Sequence, residues 1–259
     1  MLFSLNGLTF VIRGNNLYYP RETMLDRIKR RFQDSPITFS LITLMMAITI
    51  LRYAILLLVH IDINYFLSLV PSSVLRGERL WTLITSFFIH DDFLRNPFHL
   101  IANMIALYYI GRYVEQLLGE KYYLMAFLLT GIGGSLCIVF MAYTLKVLGY
   151  SPFYNSPHLG ASGAILGLFA ILAQHRPRLQ ILFFLFIPPY LILPILAQAK
   201  WVLIIQLLLD LILGFVNLPF DFIAHFGHVG GMVTGILLYK WFLWRRIYTI
   251  SYGVVFIER

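Results

Sequence analysis

Ser162 stands in the stretch HLGASGAILG, residues 158–167, surrounded by glycine and alanine. Two histidines, His225 and His228, lead into the small-residue run GGMVTG, and a third, His99, is followed four residues later by Asn103 in HLIAN. A serine hydroxyl becomes a nucleophile when a neighbouring base takes its proton, and an imidazole at about 3 Å is the usual base. His99 and Asn103 are i and i+4, so on a helix they share a face, and each can donate a hydrogen bond. Donors aimed at a developing oxyanion are the second requirement of acyl transfer, and backbone N–H groups at a helix start near Ser162 can add to them. Taken singly, each feature has a plainer reading. A histidine or asparagine at a helix start is ordinarily a cap or an interfacial residue, and glycines at G-x-x-x-G spacing simply let helices pack. The conjunction carries the weight.

The elements that must position these groups are membrane spans. Of the 259 residues, 59% are hydrophobic and 12% charged, against about 25% charged in a soluble domain. Apolar runs near 36–58, 98–117, 122–145, 161–175, 199–217 and 222–243 mostly approach the roughly 20 residues a helix needs to cross a bilayer. The fourth is short, ending at the basic stretch 175–178, which implies shielding by its neighbours. The net charge of +8 follows topology rather than a nucleic-acid partner. With the N-terminus cytoplasmic, fifteen Lys and Arg fall inside and only Arg76, Arg79, Arg95 and Lys146 outside, with Arg52 within the first span. That asymmetry obeys the positive-inside rule and adds attraction to anionic lipid. In this orientation spans two, four and six all start at the outer face. Ser162, His225, His228, His99 and Asn103 each lie near the start of their span, so they converge on one outer layer. His228 is about six residues into its helix, roughly 9 Å deep. In span four Gly160, Gly163 and Gly167 leave one face nearly bare, and Gly227, Gly231 and Gly235 do the same in span six. The two helices can therefore come close, although the same stripes are compatible with packing alone.

The rest of the chain is read more briefly. Residues 1–20 alternate enough for a short hairpin or an interfacial patch, and 21–33 suit either a basic surface helix or a solvated tail. The first span is expected to serve as the uncleaved targeting signal. The stretch 59–96 is an apolar outside loop that must satisfy its own backbone, so short helices are expected within it. Residues 178–191, with Pro188–Pro189, read as a bent connection at the inner leaflet. Cys137 is a lone packing thiol. Arg52 reads as a snorkelling cation, Asp210 as part of a polar contact in span five, and Asp91–Asp92 as surface solvation; none is assigned to catalysis. The histidines lack companion carboxylates or cysteines at ligand spacing, so no metal and no cofactor are expected, and the absence of H-E-x-x-H disfavours a metalloprotease.

HLIAN (99–103), GASG (160–163) and HVGGMVTG (228–235) together resemble the rhomboid family of intramembrane serine proteases, with further agreement in WTLITSFFIH (81–90) and YIGRYVEQLLG (109–119). The resemblance runs from about residue 77 to 240. It implies an all-α membrane protein, a six-helix bundle with a membrane-embedded first loop. It makes Ser162 the nucleophile and His228 its base, in a dyad without an acidic member. No acidic residue precedes His228 in span six except Asp221 at its mouth. His225 reads as an accessory or satisfied polar residue. His99, Asn103 and the Ser162 amide would line the oxyanion hole, and Gly160, Gly163, Gly231 and Gly235 would serve helix packing. His90 resembles a structural first-loop histidine. Two departures stand out: the family's Trp-Arg pair is here Trp81-Thr82, and Leu166 replaces an aromatic that packs on the catalytic imidazole, leaving open what orients His228. The expected organisation is a cytoplasmic N-terminal segment (1–35), a membrane domain (36–243) and a cytoplasmic tail (244–259), in the cell membrane. The partners would be transmembrane protein substrates and membrane lipid, with no nucleic acid. The alternative is a catalytically inactive relative that binds membrane proteins; a transporter would carry polar residues at several depths.

Overall fold

The computed structural model describes residues 2–5, 8–13, 16–18, 23–24, 32–91, 97–151, 153–187, 191–216 and 224–251. The chain divides into two compact units, Met1–Pro36 and Ile37–Arg259. The first contains an antiparallel sheet of β1 (Leu2–Leu5), β2 (Leu8–Arg13) and β3 (Asn16–Tyr18), paired in the order β1-β2-β3. The alternation in residues 1–20 thus yields three strands. Most of the basic stretch 21–33 lies outside the described residues, as do Asp92, Arg95 and Asp221.

The second unit is a bundle of membrane helices. The first rod is α1 (Pro36–Val59). A second rod runs through α5 (Pro97–Ala106), a π-helical turn (Leu107–Gly111) and α6 (Arg112–Leu118). Between them, α2 (Asn64–Leu67), α3 (Pro71–Leu75) and α4 (Thr82–Thr85), followed by a 3₁₀ turn at Ser86–Phe88, meet the expectation that the long loop forms its own short helices. Then come α7 (Glu120–Val147), α8 (Ser162–His175), α9 (Ala199–Leu213) and α10 (His225–Ser251). Helices α1 and α7 are by themselves long and apolar enough to cross a membrane, with mean hydropathies of 2.3 and 2.2. The outer face of α1 exposes Ile50, Leu51, Leu57 and Leu58, large apolar side chains suited to a lipid-facing surface.

Two local devices set the bundle's joints. Gly119 takes φ +75 and closes α6 by donating its N–H to the Glu115 carbonyl, so the second and third rods reverse within one residue. The buried Glu115 carboxylate accepts the N–H groups of Ile37 and Thr38, each at 2.8 Å. A carboxylate from one helix thus caps the orphan donors at the start of another, where the helix dipole favours negative charge.

Helix α8 sits at the centre. From Ala164 to Ala173 every residue is buried except Leu166. Its 14 residues span about 21 Å, less than the roughly 30 Å hydrocarbon core, and surrounding helices rather than lipid cover it. The shielding inferred from its short run is what the structure contains.

The connection after α8 turns back on itself without a seventh span among the described residues, and it does so as a hairpin: β4 (Gln180–Ile187) pairs antiparallel with β5 (Leu191–Gln198), in register from Gln180↔Gln198 to Ile187↔Leu191. Proline lacks an N–H and disfavours helix continuation, and Pro194 lies within β5, so a helix through that arm is disfavoured. The aromatic and β-branched run ILFFLFI suits a strand instead. The hairpin base is closed by Ala199 N–H to the Leu179 carbonyl at 2.8 Å.

Candidate active site

The site begins with a backbone turn. Gly160 adopts φ +111, a conformation closed to ordinary L side chains, and donates its N–H to the Ser86 carbonyl of the first loop at 3.0 Å. A Cβ at Gly160 would also stand 2.6 Å from His99 Nε2, so glycine is required twice over. Two residues earlier, His158 and Leu69 exchange backbone hydrogen bonds of 2.8 and 2.9 Å, a bridge that fastens the approach to α8 onto the first loop. The turn delivers Ser162 as the first residue of α8, with its hydroxyl at the mouth of the bundle.

The small stripes bring α10 against α8. A Cβ on Gly163 would lie 2.8 Å from the Gly227 carbonyl oxygen, and one on Gly231 would fall on the Gly163 carbonyl. A Cβ on Gly235 would similarly meet the Gly167 carbonyl. This backbone-to-backbone approach is what small residues permit. Its consequence is a 2.7 Å contact between Ser162 Oγ and His228 Nε2. Both groups line one cavity, together with Leu69, Ser86, Phe87 and His158.

Behind the imidazole lies the residue that sequence reasoning undervalued. Asp210 on α9 is 1% exposed, and its Oδ1 accepts from His225 Nδ1 at 2.6 Å and lies 3.1 Å from His228 Nδ1. Gln206 Nε2, one turn earlier on α9, donates to Oδ2 at 2.6 Å. A buried carboxylate is costly unless hydrogen-bonded, and three donors converge on this one. The polar contact expected of Asp210 in span five is made with Gln206, and the carboxylate also reaches across to α10. The signal was present, since an ionisable residue inside a span is a functional candidate by default. The carboxylate thus stands beside the His228 imidazole; Leu166 itself is half-buried against the core. Asp210, His225 and His228 are also close enough to converge on a cation. Their 2.6 and 3.1 Å separations, however, are those of N–H···O hydrogen bonds.

The other candidates are placed as follows. His99 packs beside Gly160 and its Nδ1 contacts Asp91 Oδ2 at 2.7 Å, so Asp91 is engaged with an imidazole rather than merely solvated. Asn103 is buried and donates to the His99 carbonyl at 2.8 Å, one turn back along α5. Arg52 does not snorkel: it is buried, and its Nη1 donates to the His90 carbonyl at 2.6 Å, pinning the loop from within the bundle. His90 is fully buried with its ring edge-on to His99, centroids 5.2 Å apart. Desolvation, with His99 and Arg52 nearby, pushes its pKa down to about 3, so it is neutral. Burial likewise lowers the pKa of His158. Where the family's Trp-Arg pair is replaced by Trp81-Thr82, the loop is tied together by Arg79. Its guanidinium donates to the Tyr65 carbonyl at 2.6 Å and to Ser73 Oγ at 2.7 Å, while Trp81 Nε1 donates to the Phe66 carbonyl.

Fold and site define a multi-span helical membrane protein with a serine–imidazole pair opening at one end of its bundle. Comparison with known proteins gives the family. A family profile described as "Rhomboid domain" matches residues 77–246. The chain is 33% identical over 137 residues to "RHOMBOID-like protein 12, mitochondrial" of Arabidopsis thaliana, covering 49% of this chain and 39% of that protein. It is 30% identical over 166 residues to "Putative rhomboid protease YdcA" of Bacillus subtilis, covering 63% and 69%. With "Rhomboid protein 1, mitochondrial" of Saccharomyces cerevisiae it shares 28% over 177 residues, 64% of this chain and 42% of the relative. The chain belongs to the rhomboid family of membrane-embedded proteins.

Proposed function

We propose that the protein is an intramembrane serine protease that cuts transmembrane segments of membrane proteins near the outer face of the bilayer. The observation that carries this reading is the 2.7 Å contact between Ser162 Oγ and His228 Nε2 across two helices held together by glycine. Ser162 passes its hydroxyl proton to His228 Nε2 as Oγ bonds to the scissile carbonyl carbon. The resulting imidazolium returns that proton to the departing amine, and water then hydrolyses the acyl-enzyme by the same pair. His99, Asn103 and the Ser162 amide are the proposed donors to the oxyanion. Positioning the chemistry at the mouth of the bundle lets water reach it without crossing hydrocarbon. Substrates are helices that unwind readily near the membrane boundary, because a fully hydrogen-bonded helix hides its peptide bonds. Small residues at the scissile bond fit a cavity walled by Gly131, Gly134 and Gly160. The distribution of Lys and Arg supports cytoplasmic termini, and the proposed location is the cell membrane.

An activated fluorophosphonate tests the nucleophile directly. The wild-type protein in detergent is expected to be labelled and Ser162→Ala to remain unlabelled; equal labelling of the variant would overturn the assignment.

A further inference from the structure

We propose that Asp210 is a positioning residue for the reaction: its carboxylate fixes the tautomer and orientation of His228, so that the serine–histidine pair works as a three-member relay. The inference rests on the reading of Ser162 and His228 as nucleophile and base.

The argument is one of proton placement. A neutral imidazole carries one N–H and one lone pair, and which nitrogen holds the proton is set by the partner of the other. A carboxylate is an acceptor only, so Asp210 Oδ1, 3.1 Å from His228 Nδ1, requires the proton on Nδ1. That leaves the Nε2 lone pair directed at Ser162 Oγ, 2.7 Å away, which is the form able to take the hydroxyl proton. After the transfer, His228 carries positive charge in a low-dielectric setting, and the adjacent carboxylate stabilises it without itself being protonated.

The remaining contacts hold the carboxylate still. His225 Nδ1 donates to the same Oδ1 at 2.6 Å and Gln206 Nε2 to Oδ2 at 2.6 Å, so both oxygens are fixed from two helices. The rings of His225 and His228 stand nearly perpendicular, at 82°, with centroids 6.2 Å apart, which lets both Nδ1 atoms reach one oxygen. His225 is thereby explained as the group that orients Asp210, one step further from the serine. The relay also accounts for the tolerance of Leu166 where an aromatic would otherwise brace the imidazole.

Asp210→Asn keeps the volume but allows an amide N–H to face His228 Nδ1, which stabilises the wrong tautomer. Cleavage of a single-span substrate in detergent is expected to show kcat reduced by about 10²- to 10⁴-fold with KM within about twofold, the pattern of a tautomer defect. Thermal unfolding should stay near that of the wild type, and Asp210→Glu should recover part of the lost kcat. A kcat for Asp210→Asn within about fivefold of wild type would overturn the proposal, as would a loss matched by a lower folded fraction with no rescue by Glu. If Asp210→Asn does not fold, ¹⁵N-histidine NMR of the wild-type protein decides: His228 is expected as the Nδ1–H tautomer, and an Nε2–H tautomer contradicts the relay. Failure of the underlying reading is a separate outcome, visible as undiminished cleavage by Ser162→Ala.

Discussion

Ser162 and His228 lie 66 positions apart in sequence and within one hydrogen bond in space. Both were legible in the sequence because a hydroxyl and an imidazole are conspicuous in apolar runs, where polar groups are expensive. Asp210 was equally conspicuous, yet its partner was not. Helical periodicity places a residue on a face but does not say how far one helix slides against the next, and that axial register decides whether Asp210 meets α10. For the same reason His225 reads from sequence as an accessory polar group, whereas the structure gives it a hydrogen bond to the carboxylate behind His228. The two histidines are separable by experiment. His228→Ala is expected to abolish cleavage, while His225→Ala retains activity within about tenfold of wild type, because Asp210 keeps its Gln206 and His228 contacts. The reverse pattern would mean that the other imidazole is the base.

The elements were read from composition and length, and the six apolar runs correspond closely to the six rods among the described residues. The second run, 98–117, became Pro97–Ala106 continued by a π turn and Arg112–Leu118. The hairpin at Gln180–Gln198 was not legible as such, because strand pairing depends on which segment lies alongside, and an apolar run interrupted by proline fits several connections. The glycine stripes were legible as close approach, though not their exact interlock. The structure shows that interlock as Gly231 stacked on the Gly163 carbonyl. Gly231→Ala must therefore force α8 and α10 apart. A loss of about 1–3 kcal/mol in stability is expected from this overpacking, with cleavage reduced more than tenfold as His228 withdraws from Ser162. Thermal unfolding and initial rates check both. A variant with wild-type stability and rate would show that the contact is not tight.

At the scale of the whole molecule, the charge asymmetry and the outer-layer convergence of polar residues were readable from the sequence, while the fastening of the first loop onto the site was not. That fastening relies on His90 and His158, both kept neutral by burial outside the spans. The unfolded chain binds a proton at each below about pH 6.5, so stability is full above that pH and falls as the medium is acidified. For His90, neutral in the fold down to about pH 3, the expected loss between pH 7.5 and 5.5 is on the order of 1 kcal/mol, and His158 adds in the same direction. Thermal unfolding across that range measures it; a midpoint that rises on acidification would contradict the assignment. The central claim, that this rhomboid-family protein is a protease acting through Ser162, is tested most directly in proteoliposomes containing a single-span substrate with a readily unwound outer segment. The wild-type protein is expected to release a fragment cut near the outer membrane boundary, and Ser162→Ala to release none. An identical fragment from both proteins, or none from a wild-type protein tested across a panel of such substrates, would contradict it.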